Sequence, residues 1–156
     1  MYERILVPLD GSRGSEIVLP YAEELAARLG AEITLVSVSE PAADTENLFS
    51  SYLERVAKQV EGELKGWRAR AGARVHSEVL VGRPADEILR YAEQKQVGLI
   101  IMASRGSSGH GPWLLGNIAD KFLRTTERPV LLIRSAAGDG ALGQKSLVKK
   151  VLVPLD

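Results

Sequence analysis

The chain has 156 residues, 45% apolar and 26% charged, the size and make-up of one globular domain with a buried core. Its 20 Lys+Arg balance 20 Asp+Glu, so no net field draws it to nucleic acid or to an anionic membrane, and neither is expected as a partner. The absence of cysteine excludes a disulfide framework, a cysteine-ligated zinc and a thiol nucleophile. Met1-Tyr2-Glu3-Arg4 leads straight into a strand, and no apolar run approaches the ~20 residues that span a bilayer, so a soluble cytoplasmic protein is expected.

Strand and helix signals alternate along the chain. Ile5-Leu6-Val7 reads as a first strand, closed by Pro8 and the turn residues Asp10-Gly11-Ser12. A helix is expected from there to about Leu29, with Val18, Ala22, Leu25 and Leu29 on one face and Gly30 as its stop; Pro20 marks its first regular turn or kinks it. Ile33 to Val38 is a second strand. After a polar connection, Leu53, Val56, Val60, Leu64 and Trp67 fall in helical register, with Gly62 and Gly66 weakening the C-terminal half. Val75 to Val81 is a third strand. Pro84 opens a helix with Asp86-Glu87 in its first turn and Ile88, Leu89 and Ala92 facing inward. Val97 to Met102 is a fourth strand. Leu115, Ile118, Ala119, Phe122 and Leu123 give the next helix an apolar face, and Val130 to Ile133 is a fifth strand.

This alternation predicts an α/β fold: a five-stranded, mainly parallel sheet with helices on both faces. Strands one, four and five suit burial on both sides. In such a sheet ligands bind at the carboxyl ends of the strands, where the strand order reverses. The loops there include Pro8 to Ser12 and Met102-Ala103-Ser104-Arg105-Gly106, the latter leading through Gly116-Asn117 into a helix. A strand that opens through glycines into a helix N-terminus presents bare N–H groups and a favourable dipole to a phosphate. Gly106 and Gly116 allow either close approach or positive φ.

Ser135 to Ser146 carries Gly138, Gly140 and Gly143 and reads as a flexible linker over 135–147. Val151-Leu152-Val153-Pro154-Leu155-Asp156 then repeats Ile5-Leu6-Val7-Pro8-Leu9-Asp10 in all but its first residue. The expectation is one domain over 1–134, and over 148–156 the first strand of a second, truncated copy from a tandem protein.

With Val7-Pro8-Leu9-Asp10-Gly11-Ser12, the alternating elements, the glycine loop and Pro129-Val130-Leu131-Leu132-Ile133 in hand, the chain resembles the universal stress protein family from Tyr2 to Arg134. The family's nucleotide signature is Gly, two residues, Gly, nine residues, Gly, then Ser or Thr; here it stands as Ala103, two residues, Gly106, nine residues, Gly116, Asn117. The resemblance implies a Rossmann-like fold of the adenine nucleotide alpha hydrolase type, and ATP, alone or with Mg²⁺, as ligand. It places Pro8, Leu9 and Asp10 beside the nucleoside and the Val38 backbone against adenine. Met102, Ala103 and Gly106 would line the ribose and phosphates, and Gly116, Asn117 and Ile118 would present N–H groups to the phosphates. Arg105 either pairs with a phosphate or faces solvent. It also implies pairing through the edge strand Val130 to Ile133, in a homodimer or with the second domain of a parent chain.

Two positions depart from the signature. Ala103 in place of glycine costs roughly 1–2 kcal/mol if positive φ is required there, and less if only close approach matters. Asn117 in place of Ser or Thr can donate to a phosphate or cap the helix. Asp10 reads either as a turn residue or as an acceptor for ribose hydroxyls. His76 and His110 have no partner at metal-ligand spacing; His76 is expected to be structural, and Gly109-His110-Gly111 lacks the second histidine of a nucleotidyltransferase signature. Lys121 is expected to be exposed, and Ser104, Ser107 and Ser108 to be polar loop groups, with phosphate contacts as the alternative. No lysine-bearing P-loop and no general base is legible. The expected function is a nucleotide-binding, dimerising stress-response module with at most slow hydrolysis. The alternative is a dimerising scaffold that binds no nucleotide.

Overall fold

The computed structural model describes residues 2–41, 45–67, 73–104 and 116–134. The expected linker and second-copy strand, together with Arg105, Gly106, Ser107, Ser108, His110, Trp113 and Leu115, lie outside the described residues. The elements in chain order are β1 (Arg4–Pro8), α1 (Arg13–Glu16), α2 (Leu19–Leu29), β2 (Glu32–Ser39), α3 (Glu46–Gly66), β3 (Val75–Val81), α4 (Pro84–Gln94), β4 (Leu99–Ala103), α5 (Asn117–Thr125) and β5 (Val130–Ile133). All strand pairs are parallel, and the sheet runs β3-β2-β1-β4-β5.

Two cores cover the two faces of the sheet. Ile5, Val7, Ile33, Leu35 and Ile101 meet Ala22 and Ala26 of α2 and Leu53, Val56, Val60 and Leu64 of α3. Leu6, Val36, Ile100 and Met102 point the other way, onto Ile88 and Ala92 of α4 and Ala119 and Phe122 of α5. Strand alternation explains the division, because successive side chains leave opposite faces. β1 and β4 are therefore apolar at nearly every position, while β5 is only half-buried at all four of its residues, contrary to the burial expected of it. Its outer edge has no neighbouring strand among the described residues, which accounts for the difference. No helix among the described residues is long and apolar enough to cross a membrane.

Three local expectations need correction. The first helix is two: it breaks after Glu16 and restarts at Leu19. Pro20 lies in the first turn of α2, where its missing N–H is tolerated, so the helix starts afresh there instead of kinking. The inward face of α2 is Leu19, Ala22, Ala26 and Ala27, whereas Leu29 is exposed at the C-terminal end, beside Gly30 with φ 71°. In α5 only Ala119 and Phe122 are buried; Ile118 and Leu123 face outward because they flank the narrow i, i+3 stripe that meets the sheet. α3, by contrast, stays helical to Gly66 despite its glycines, with Val60 and Leu64 anchored in the core.

Glu23 sits on α2 with only 6% of its surface exposed. Burial first, and repulsion from Glu63 of α3 second, push its carboxyl pKa up to about 7. The folded chain thus holds a proton that the unfolded chain releases near the ordinary carboxyl value. Stability should fall as pH rises from about 4.5 through about 7. Discounted for water reaching the seam from the Glu63 side, the loss should be about 1–2 kcal/mol. Urea titrations of the wild type and Glu23→Gln at about pH 5 and pH 8 check this. The variant should be the more stable protein at the higher pH, and parallel pH dependences would refute the assignment.

Candidate functional site

The strand order reverses between β1 and β4: β1 continues into helices packed on one face, and β4 leads toward α5 on the other. At the carboxyl ends of these strands lies a cavity of about 400 Å³. This is where a doubly wound sheet leaves a crevice, because the chains diverge to opposite faces. Pro8, Leu9, Asp10, Val38, Met102, Ala103, Gly116, Asn117 and Ile118 all line it. Of the predicted site residues, Arg105 and Gly106 lie outside the described residues.

The loop after β1 is held by its own side chains. Leu9 N–H donates to the Val36 carbonyl at 2.8 Å, and Ser37 Oγ donates to the Leu9 carbonyl at 2.8 Å, so the chain stays tied to β2 beyond the strand. Asp10 Oδ1 accepts from Ser12 N–H at 3.0 Å and from Ser12 Oγ at 2.5 Å, an aspartate turn that lets Gly11 take φ 81°. Ser12 Oγ in turn accepts from Ser15 N–H at 3.2 Å and caps α1. Ser15, 5% exposed, accepts from Asp10 N–H at 3.3 Å and itself lines the cavity. Asp10 is therefore both turn residue and cavity residue. The far end of α1 is fastened to α3, where Tyr52 Oη donates to Glu16 Oε1 at 3.0 Å; burial, then that carboxylate, push the phenol pKa up.

The opposite wall is the start of α5. Gly116 is its N-cap, with φ −61° and ψ 146°, an extended conformation open to any residue. Of the two uses foreseen for Gly116, positive φ is not the one realised. Asn117 occupies the first helical position, exposed, and no side chain caps the helix. That removes the capping role from Asn117. Helix geometry leaves the N–H groups of Asn117, Ile118 and Ala119 without a carbonyl one turn earlier, and all three residues line the cavity. Ala103 ends β4 paired with Ile133, and Gln96 is the non-glycine residue with positive φ among the described residues. The alanine consequently carries no backbone strain; its methyl packs in the core with Ile101.

Further lining residues were not singled out for the site from the sequence: Val36, Glu40, Thr45, Phe49, Pro84, Ile88 and Ala119, with Ser15. Val36 could have been found as the position two before Val38 on the same face. Thr45 and Phe49 depend on how α3 returns over β2, which no local pattern encodes. Ser104, expected as a polar loop group, is 7% exposed and joins three segments: its N–H donates to the Ile133 carbonyl at 2.7 Å, and its carbonyl accepts from Gly116 N–H at 2.9 Å. Lys121 is exposed as expected and pairs with Asp86 at 2.5 Å, linking α5 to α4. His76 is exposed on β3 and takes no part in the core. Among the described residues no cluster of three metal-ligating side chains occurs.

A parallel five-stranded sheet with a cavity at its switch point, walled by an aspartate turn and a helix start, is the architecture of a doubly wound, Rossmann-like α/β domain. The sequence profile of the universal stress protein family matches residues 1–134, and the chain belongs to that family. It is 30% identical over 141 residues to the universal stress protein MJ0531 of Methanocaldococcus jannaschii, covering 86% of this chain and 83% of the relative. The solved structure of MJ0577 from the same organism superposes with a TM-score of 0.72 at 26% identity, over 88% of this chain and 99% of the other. The Archaeoglobus fulgidus universal stress protein, solved in complex with dAMP, shares the fold with a TM-score of 0.62 at 20% identity, over 84% of this chain and 97% of the other.

Proposed function

We propose that this chain is a regulatory module that binds an adenine nucleotide, ATP alone or with Mg²⁺, in the switch-point cavity and pairs through β5. The observation that carries the reading is the convergence of the aspartate turn, the end of β2, the end of β4 and the start of α5 on one cavity. Apolar walls from Val36, Val38, Ile88 and Met102 suit a base, Asp10 suits ribose hydroxyls, and the free amides at the start of α5 suit phosphate. The dAMP held by the Archaeoglobus fulgidus protein supports the adenine class. Any cation would arrive with the phosphates it neutralises.

In this reading the chain's residues bind and orient the nucleotide, and bound nucleotide is the signal passed to a partner. Denaturing the purified protein and separating the released small molecules should yield an adenine nucleotide. Titration calorimetry with ATP and Mg²⁺ should show saturable binding. No released nucleotide and no heat at high ligand concentration would overturn the reading and leave a dimerising scaffold. Steady turnover at an ordinary enzymatic rate, lost in Asp10→Ala, would replace the sensor with an enzyme. Pairing through β5 has its own test: light scattering should give the mass of a dimer, and a monomer at high concentration would refute it.

A further inference from the structure

The aspartate turn of the cavity is held from behind, by side chains outside the nucleotide signature. Asp10 is tied to the segment that opens α1: its Oδ1 accepts from the N–H and the hydroxyl of Ser12, and its own N–H donates to Ser15 Oγ at 3.3 Å. α1 is a single turn, Arg13–Glu16, too short to be stable by itself. The place of Asp10 therefore depends on what anchors that turn.

One flank of α3 supplies the anchor. Phe49, Tyr52 and Arg55 follow one another at every third position and so neighbour one another along the helix. Phe49 Cε1 stands 3.7 Å from the place a Cβ would take at Gly11, the residue after Asp10. Tyr52 Oη donates to Glu16 Oε1 at 3.0 Å, and the same phenol interacts with the Ser15 hydroxyl. Arg55 Nη2 lies 3.6 Å from Glu16 Oε1, with its guanidinium 5.4 Å from the centre of the Tyr52 ring. The Tyr52 ring packs against the core, a role phenylalanine would fill; its hydroxyl serves α1.

We infer that Tyr52 is a positioning residue for the nucleotide site: by holding Glu16 it fixes α1, and through Ser12 and Ser15 it fixes the Asp10 carboxylate where ribose hydroxyls can reach it. This rests on the adenine-nucleotide reading above. Tyr52 is not one of the residues lining the cavity, so its effect has to pass through α1. A carboxylate that meets a ligand's hydroxyls has to be held to within about 0.5 Å, and side chains behind it do the holding.

Titration calorimetry of the full chain with ATP and with 2′,3′-dideoxy-ATP, each with Mg²⁺, tests the role, because the second ligand lacks the hydroxyls that Asp10 would accept. The wild type should bind ATP about tenfold more tightly than the dideoxy ligand, the scale of hydrogen bonds to a charged group. Tyr52→Phe should weaken ATP about fivefold and leave the dideoxy ligand within about twofold of the wild type, which also reports that the variant folds. Glu16→Ala cuts the same link from the other side and should narrow the preference alike, whereas Glu16→Gln keeps an oxygen for the phenol and should retain it. If the tenfold preference survives in Tyr52→Phe and Glu16→Ala, whether both ligands weaken equally or neither does, Tyr52 is merely structural and the inference falls while nucleotide binding stands. A wild type that binds the two ligands equally would also overturn it. Failure of the wild type to bind either ligand would overturn both readings.

Discussion

Replacing Gly116 with aspartate is expected to weaken adenine-nucleotide binding by at least about hundredfold while leaving the protein as stable as before, or slightly more so. The two effects separate because of the backbone. Gly116 caps α5 with φ −61° and ψ 146°, a conformation any side chain accepts, and aspartate is among the preferred N-cap residues. Its carboxylate would accept from the amides at the start of α5 and complement the helix dipole, a gain of a few tenths of a kcal/mol over glycine. Those are the amides proposed to hold phosphate, and the new charge would stand where the phosphate charge has to come. Like charges brought together in a binding site cost several kcal/mol, and about 2.8 kcal/mol is hundredfold. Calorimetric titration with ATP and Mg²⁺, paired with a urea melt, reads both quantities. Equal affinity in variant and wild type would move the phosphate site away from α5.

Phe122→Ala should be the most damaging single substitution for the fold, lowering stability by about 3–5 kcal/mol. Phe122 is fully buried, and α5 has only Ala119 besides it to hold the helix against Ile100, Met102 and Ile88. Removing the ring leaves a cavity that no neighbouring large side chain of α5 can fill, because Ile118 and Leu123 point outward. For a domain whose total stability is of the order of 5–15 kcal/mol, the melting temperature should drop by about 10 °C or more. Leu123→Ala, on the same helix with its side chain exposed, should stay within about 0.5 kcal/mol of the wild type. Thermal melts of the two variants make the comparison. A Phe122→Ala protein within about 1 kcal/mol of the wild type would mean that α5 is not held by this contact. Because α5 also supplies the amides of the cavity wall, the same substitution should weaken nucleotide binding even where the protein remains folded.

Much of the architecture was legible in the sequence because its signals are local. β3 and β5 span the residues expected of them, Val75–Val81 and Val130–Ile133, both rich in the branched apolar residues that strands favour, although His76, Ser77 and Glu78 interrupt them in β3. Pro84 and Pro20 both mark first helical turns, since a ring without an N–H is harmless there. What local pattern could not supply was the partner of each face. Leu25 and Leu29 both look like core residues on a helical wheel; Leu25 does pack, half-buried, against the core, but α2 approaches the sheet through Ala22 and Ala26, and Leu29 ends up in solvent. Ile118 was placed on the apolar face of α5 and also on the cavity wall; only the second position is the one it occupies.

The site was legible to the extent that it follows from the ends of strands. Pro8 to Asp10 and Met102-Ala103 are the last residues of β1 and β4 or the first beyond them, and a parallel sheet with its order reversed at that point brings them together. Thr45, Phe49 and Glu40 come from the passage between β2 and α3, whose path depends on how α3 packs against the sheet. Ser15 depends on the tight turn that Asp10 and Ser12 close. The question raised by Ala103, whether its backbone had to adopt positive φ, is answered by the ladder, where it simply continues β4 opposite Ile133.

The bonds made by Ser104 determine how much order the wall of the cavity must acquire when something binds. Ser104 ties the end of β5 to the end of β4 through its N–H and the start of α5 to β4 through its carbonyl, although residues 105–115 separate it from α5 in the chain. The start of α5, whose residues line the cavity, is thereby held in place before any ligand arrives, and its conformational freedom is already spent in folding. An arriving phosphate would meet donors that need not be gathered, so the entropy of association falls mainly on the ligand and scarcely on this helix.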